Sequence, residues 1–166
     1  MNTKIKKLVL TAMLTALVCI TTMVVTVPSP LKGYINLGDC VVLLSAWLLP
    51  PIYGAFAAGV GSALADVLAS YVVYAPATFV IKALMAVAAN LIFCALSKKT
   101  PKLAARISGG VAAEVLMVLG YFLFEGFLYG FIPSAVNIAP NMLQGAVGIV
   151  LGIILIKLFE KNKITM

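Results

Sequence analysis

The chain contains no histidine, and its three cysteines, Cys19, Cys40 and Cys94, are scattered without a C-x-x-C pair. Structural zinc needs clustered Cys or His ligands and a disulfide framework needs regularly spaced cysteines, so no metal site and no staple is indicated. Without histidine there is no Ser/His/Asp or Cys/His set for nucleophilic catalysis, and an enzyme is disfavoured. A G-x-x-x-x-G-K-[ST] loop is missing too, so this chain does not cradle ATP phosphates. Gly59-Val60-Gly61 opens like a dinucleotide turn, but no strand precedes it and no third glycine follows at the required place. No cofactor is expected. Charge is also scarce: charged residues are 10% of 166, against 63% hydrophobic. A soluble domain cannot carry so little polar surface, whereas runs of about 20 apolar residues mark membrane helices.

Those runs dominate the chain. The first follows Met1-Asn2-Thr3-Lys4-Ile5-Lys6-Lys7 and extends to Val27. It imitates a signal peptide, but its core is too long and no small-residue cleavage site precedes Pro28, so it reads as a transmembrane helix. A polar, Pro/Gly-punctuated loop from Pro28 to Asp39 follows, with Asp39 placed to cap a short second helix over about Cys40–Leu49. Pro50-Pro51 forces a turn. A third helix, about Ile52–Ser70, is rich in small residues, and a fourth runs from Pro76 to about Leu96. The fifth covers about Ile107–Phe127 and the sixth about Val136–Phe159, with a loop over Leu128–Ala135 between them. The spacing thus predicts an all-α integral membrane bundle of six transmembrane helices forming one domain over residues 1–166, multi-pass in the cell membrane.

The net charge of +7 suggests nucleic acid at first sight, but the basic residues sit at the ends of apolar runs. Lysines 4, 6 and 7, the group 98, 99, 102 with Arg106, and lysines 157, 161 and 163 fall on one side when six spans alternate. By the positive-inside rule both termini are cytoplasmic, and the partner of the basic residues is the lipid bilayer, not nucleic acid.

The loops around Lys32, Tyr74 and Pro133 are then external, and Asp66, Lys82, Glu125, Asn137 and Asn141 all lie in the outer halves of their helices. A charge near the bilayer centre costs roughly 2.5–3.5 kcal/mol on insertion scales, so intramembrane ionisable groups are functional candidates by default. Thr78, Lys82, Ala86 and Asn90 recur at four-residue spacing on one face. Lys82 reads either as snorkelling to the outer headgroups or as facing a wet internal cavity, paired with Glu125 or Asp66. Asn90, deeper on that face, favours the cavity. Asp66 alone is as readily a packing device, and Glu125 is near enough the surface to be solvated. Glu114, Tyr121 and Glu125 share a narrow arc, with Glu114 expected to pair with Arg106 or Lys102. Asn137, Asn141 and Gln144 form an amide stripe that suits either a heterocycle rim or interhelical glue. Tyr34, Tyr74, Tyr121 and Tyr129 form an outer aromatic belt on which a flat ligand could stack.

Several stretches together carry a family resemblance: Ala12-x-x-x-Ala16, Gly33-Tyr34-Ile35-Asn36-Leu37-Gly38-Asp39, Gly61-Ser62-Ala63-Leu64-Ala65-Asp66, and Tyr74-Ala75-Pro76-x-Thr78-Phe79-x-Ile81-Lys82. On them the chain resembles the S components, the membrane-embedded substrate-binding subunits of energy-coupling factor (ECF) vitamin transporters, and most closely the group associated with riboflavin, pyridoxine and hydroxymethylpyrimidine uptake. The resemblance implies an occluded outer cavity built by external loops and later helices. Its candidate substrate contacts are Tyr34, Asn36, Asp66, Lys82, Asn90, Tyr121, Glu125, Asn137, Asn141 and Gln144. It also implies docking through Ala12 and Ala16 onto a separate transmembrane coupling subunit driven by two cytoplasmic ATPase subunits. A small heterocycle such as pyridoxine or a pyrimidine ranks ahead of riboflavin as the vitamin. The competing classes are a small ion-coupled secondary carrier, with Asp66 and Lys82 as charge relay, and a non-transporting assembly subunit.

Overall fold

The computed structural model describes residues 3–31 and 33–162. Lys32 and Lys163, both part of the charge pattern above, lie outside these residues. Helix α1 covers Thr3–Val24, strands β1 (Thr26–Pro28) and β2 (Tyr34–Asn36) follow, and then come α2 (Asp39–Leu48), α3 (Pro51–Leu68), α4 (Ala75–Leu96) and α5 (Lys102–Tyr129). A single turn α6 (Phe131–Ser134) and a 3-10 turn (Ala135–Asn137) lead into α7 (Ile138–Lys161). The six-helix bundle holds. Among the described residues five segments are long and apolar enough to cross a membrane, namely Lys4–Val24, Pro51–Leu68, Ala75–Leu96, Lys102–Tyr129 and Phe131–Lys161.

The sixth helix of the bundle, α2, is the centre of the core. Its sequence is apolar on every face, as in Val41-Val42-Leu43-Leu44, and a helix of that kind must be enclosed. All ten of its residues are buried, and it packs on α1, α3, α4 and α7. Ten residues rise only about 15 Å, half of a ~30 Å hydrocarbon layer, so both ends of α2 lie among other helices. Its exit is set locally: Leu49, before Pro50, is extended at φ −109°, ψ 154°, as steric clash with the proline ring demands. Pro51 then starts α3, where the missing N–H costs nothing.

Helix α1 contributes a stripe of Thr11, Leu14, Val18 and Thr22 to the interior and leaves Ala12, Ala16 and its other apolar side chains outward. Helices α1 and α3 cross closely because Gly61 has no side chain: a Cβ there would sit 2.6 Å from the Thr15 carbonyl oxygen. Gly109 does the same for α5 against α4, where a Cβ would lie 2.8 Å from the Ala89 oxygen.

Three boundaries differ from the sequence reading. The first helix stops at Val24, short of Val27, because Thr26–Pro28 pairs antiparallel with Tyr34–Asn36 in a short hairpin, with Val27 opposite Ile35 and Gly33 at φ +89°. Thr26, Val27 and Ile35 are the β-branched residues that fit it. Helix α5 begins at Lys102, not Ile107, because Lys-Leu-Ala-Ala-Arg after Pro101 is a run of strong helix formers. It continues to Tyr129 and stops at Gly130, φ +94°, after which the expected loop coils into α6.

Candidate functional site

Two polar networks hold together the end of the bundle that carries the hairpin. The first is centred on Asp39, the opening residue of α2. Lys82 of α4 forms an ion pair with Asp39 Oδ1, and Gln144 of α7 donates from Nε2 to Asp39 Oδ2 at 2.5 Å. Gln144 Oε1 in turn accepts the Asn36 N–H at 2.8 Å, and Asn36 Oδ1 accepts the Gly38 N–H at 2.8 Å. Lys82 is 2% exposed and Asp39 is fully buried. Two such charges survive burial only because each compensates the other and the spare lone pairs find donors. The position of Asp39 adds to this, since a helix N-terminus favours negative charge.

The second network is centred on Glu125 of α5. Asn137 donates from Nδ2 to both Glu125 oxygens at 3.0 and 2.9 Å, and the Tyr74 hydroxyl donates to Oε1 at 3.3 Å. Asn137 Oδ1 receives the Ser29 hydroxyl at 2.8 Å and the Leu31 N–H at 3.4 Å. The hairpin is thus tied to the α5–α7 corner. Between the two networks Tyr34 donates to Asp66 Oδ1 at 2.7 Å, and Tyr121 donates to Thr78 Oγ1 at 3.1 Å. Burial, reinforced by the neighbouring Asp66, pushes the Tyr34 phenol far above its ordinary range, so it remains a donor. Tyr34, Tyr71 and Tyr74 stack in sequence, with ring centroids 4.8 and 6.2 Å apart.

These groups enclose a cavity with an empty volume of about 490 Å³ including its open mouth, of which about 30 Å³ admits the centre of a water-sized molecule. Its wall includes Tyr34, Asn36, Asp66, Lys82, Tyr121, Glu125, Asn137, Asn141 and Gln144, so the structure brings together every expected contact except Asn90. A concave site with a few convergent polar groups is the normal form of a small-molecule site.

Four sequence-based assignments change. Asn90 lies away from the cavity: it donates to the carbonyl oxygens of Ala46 at 2.6 Å and Leu49 at 3.1 Å, groups that the end of α2 leaves without helical partners. Lys82 pairs with Asp39, and not with Glu125 or Asp66, so an Asp66–Lys82 relay is not joined by a direct contact. Asp39 is not the cap of α2, whose N-cap is Gly38, but the acceptor that keeps Lys82 buried. Arg106 turns to Glu160, with bonds of 3.1 and 2.7 Å, instead of Glu114. Sequence reasoning also passed over Asp39, Thr22, Ser62, Tyr71 and Thr78 as site residues. For Asp39 a signal existed, since an acidic residue opening an all-apolar, ten-residue helix must meet a cation inside the bundle.

Long apolar helices around a polar cavity define a small membrane protein with an internal polar site. The sequence matches the family of S components of ECF-type riboflavin transporters over residues 2–161. The chain belongs to this family of substrate-binding membrane subunits. It is 38% identical over 136 residues, covering 81% of this chain and 88% of the relative, to an uncharacterised Pyrococcus woesei protein from the gap 3′ region. The fold is similar to that of the S component of a bacterial ECF transporter, with TM-score 0.72, 23% identity, and 96% and 98% of the two chains covered. It is also similar to that of an S component for biotin from an ECF-type ABC transporter, with TM-score 0.68, 18% identity, and coverages of 96% and 95%.

Proposed function

We propose that this chain captures a small, water-soluble heterocyclic vitamin or precursor at its outer face and delivers it inward. Pyridoxine or a pyrimidine ranks first as the compound, and riboflavin next. The observation that carries the reading is the cavity itself: amides, tyrosines, two acids and a lysine, drawn from four long helices and the hairpin, converge on one enclosed volume. In this reading both termini are cytoplasmic, and delivery is driven by a separate transmembrane coupling subunit and two ATPase subunits. Ala12 and Ala16 support the docking part, because both are outward on α1, whose opposite face is committed to the core. Small residues let a partner helix approach closely in a bilayer.

The test is binding by the purified chain alone, without ATPases or an ion gradient, followed by mass spectrometry of any small molecule that co-purifies. A vitamin retained at near-stoichiometric amount supports the reading. Binding that appears only with an imposed proton or sodium gradient would favour the ion-coupled carrier instead.

A further inference from the structure

Among the described residues, three buried polar atoms in the cavity wall have no hydrogen-bond partner: Thr22 Oγ1, Ser62 Oγ and Asp66 Oδ2. Their residues are only 3%, 1% and 5% exposed. All three stand on the α1/α3 side of the cavity, with Ser62 and Asp66 one turn apart on α3. The opposite side is different, because Lys82, Gln144, Glu125 and Asn137 are engaged with protein groups. The orphan state of Thr22 is not a habit of its helix either. Thr11, Thr15 and Thr21 each return their hydroxyl to a carbonyl one turn back, at 2.7–2.8 Å, and Ser45 does so on α2 at 2.7 Å. Buried polar groups are normally satisfied, and each exception needs a reason.

We propose that the Thr22–Ser62–Asp66 wall is the subsite for a hydroxylated arm of the substrate, an inference that rests on the vitamin-binding reading above. The complement follows from counting donors and acceptors. Asp66 Oδ2 needs a donor, while the two hydroxyls each bring a proton that reaches no acceptor and lone pairs that reach no donor. A ligand hydroxyl both donates and accepts, so a pair of hydroxyls on a short arm completes all three. An ammonium has only donors and leaves the Thr22 and Ser62 protons unmatched. A phosphate has the wrong balance as well: it gives Asp66 no donor and places negative charge against it. Tyr34, already on Oδ1, holds the carboxyl in place for this purpose. The free hydroxylated compound is therefore selected over its phosphate ester.

Thr22→Val and Ser62→Ala delete the orphan hydroxyls without adding volume, so binding and folding can be read apart. The purified chain and both variants are titrated calorimetrically with riboflavin, pyridoxine, hydroxymethylpyrimidine, their phosphate esters, and lumichrome, which keeps a flavin ring without the polyol arm. The expected result is that each variant melts, without ligand, at or above the wild-type temperature. Affinity for the hydroxylated probe that binds falls about tenfold or more, and the phosphate esters bind far more weakly. Unchanged affinity in both variants, a lowered melting temperature in both, or equal binding of a phosphate ester or of lumichrome would overturn the subsite while leaving the vitamin-binding reading intact. Failure of the wild-type chain to bind any probe would remove both.

Discussion

Substituting Asp39 by asparagine should damage the protein far more than its small change in shape suggests. The substitution keeps an oxygen and an amide where the carboxylate was but removes the charge opposite Lys82, whose side chain is 3% exposed. Removing one partner of a buried ion pair typically costs about 3–5 kcal/mol, since the remaining charge is left uncompensated. One feature offsets a little of this: the Lys82 ammonium lies 5.6 Å from the Tyr121 ring centroid. A cation–π contact of that kind is worth about 0.5–2 kcal/mol, so it cannot carry the charge alone. Against a total stability of about 5–15 kcal/mol, the single variant should be severely weakened. Lys82→Met should also destabilise, toward the lower end, because Asp39 keeps the Gln144 amide and the α2 N-terminus. Combining the two removes both charges and fills the space with an unbranched apolar chain, which should restore stability to within about 1 kcal/mol of wild type.

The sole tryptophan makes the assay convenient. Trp47 sits in α2, is 8% exposed, and reports on the same helix that Asp39 opens. Denaturant unfolding in mixed micelles, followed by its fluorescence, gives the four corners of a double-mutant cycle. A coupling energy of about 2 kcal/mol or more is expected. Two additive single effects, each below about 1 kcal/mol, would refute the claim that the pair is mutually dependent.

Asn90→Ala should lower stability by about 1–3 kcal/mol, the cost of leaving buried carbonyls unpaired, and leave vitamin affinity unchanged; a loss of affinity at full stability would return Asn90 to the site. With both termini cytoplasmic, a cysteine at position 32 should react with an impermeant reagent in intact cells and one at position 99 should not, in a background lacking the native cysteines; the opposite pattern reverses the orientation. Ala12→Trp with Ala16→Trp should fold and bind vitamin normally yet fail to co-purify with the coupling module; aggregation of the isolated variant would show instead that the strip packs internally.

Much of the bundle was legible because its cause is local. Apolar runs, Pro50-Pro51 and glycine-rich crossings need no knowledge of neighbours. The four-residue period of Thr78 and Lys82, and the amide stripe of Asn137, Asn141 and Gln144, likewise put side chains on faces that do reach the cavity. What the period cannot supply is the partner. Lys82 had three acids within conceivable reach, and the one it meets was hidden in a position that reads as an ordinary cap. Asp66 and Ser62 share a face of α3 by spacing alone, but that they line one cavity with Thr22 depends on how α1 and α3 cross at Gly61.

The case of Asn90 shows why one face can serve two ends. Helix α2 is too short to reach water at both of its termini, and lipid offers no hydrogen bonds, so the bundle must satisfy both. Along α4, Lys82 and Asn90 are eight residues apart, about 12 Å of rise. Along α2, Asp39 and Ala46 are seven apart, about 10.5 Å. The two helices run in the same direction with these spacings nearly matched, so Lys82 meets the first turn of α2 and Asn90 meets its last. The polar stripe of α4 is therefore the measure of α2. Its Lys82 end borders the cavity because the α2 N-terminus does, and its Asn90 end meets only protein carbonyls. Spacing on α4 alone gave both residues the same role; the length of the helix beside it separates them.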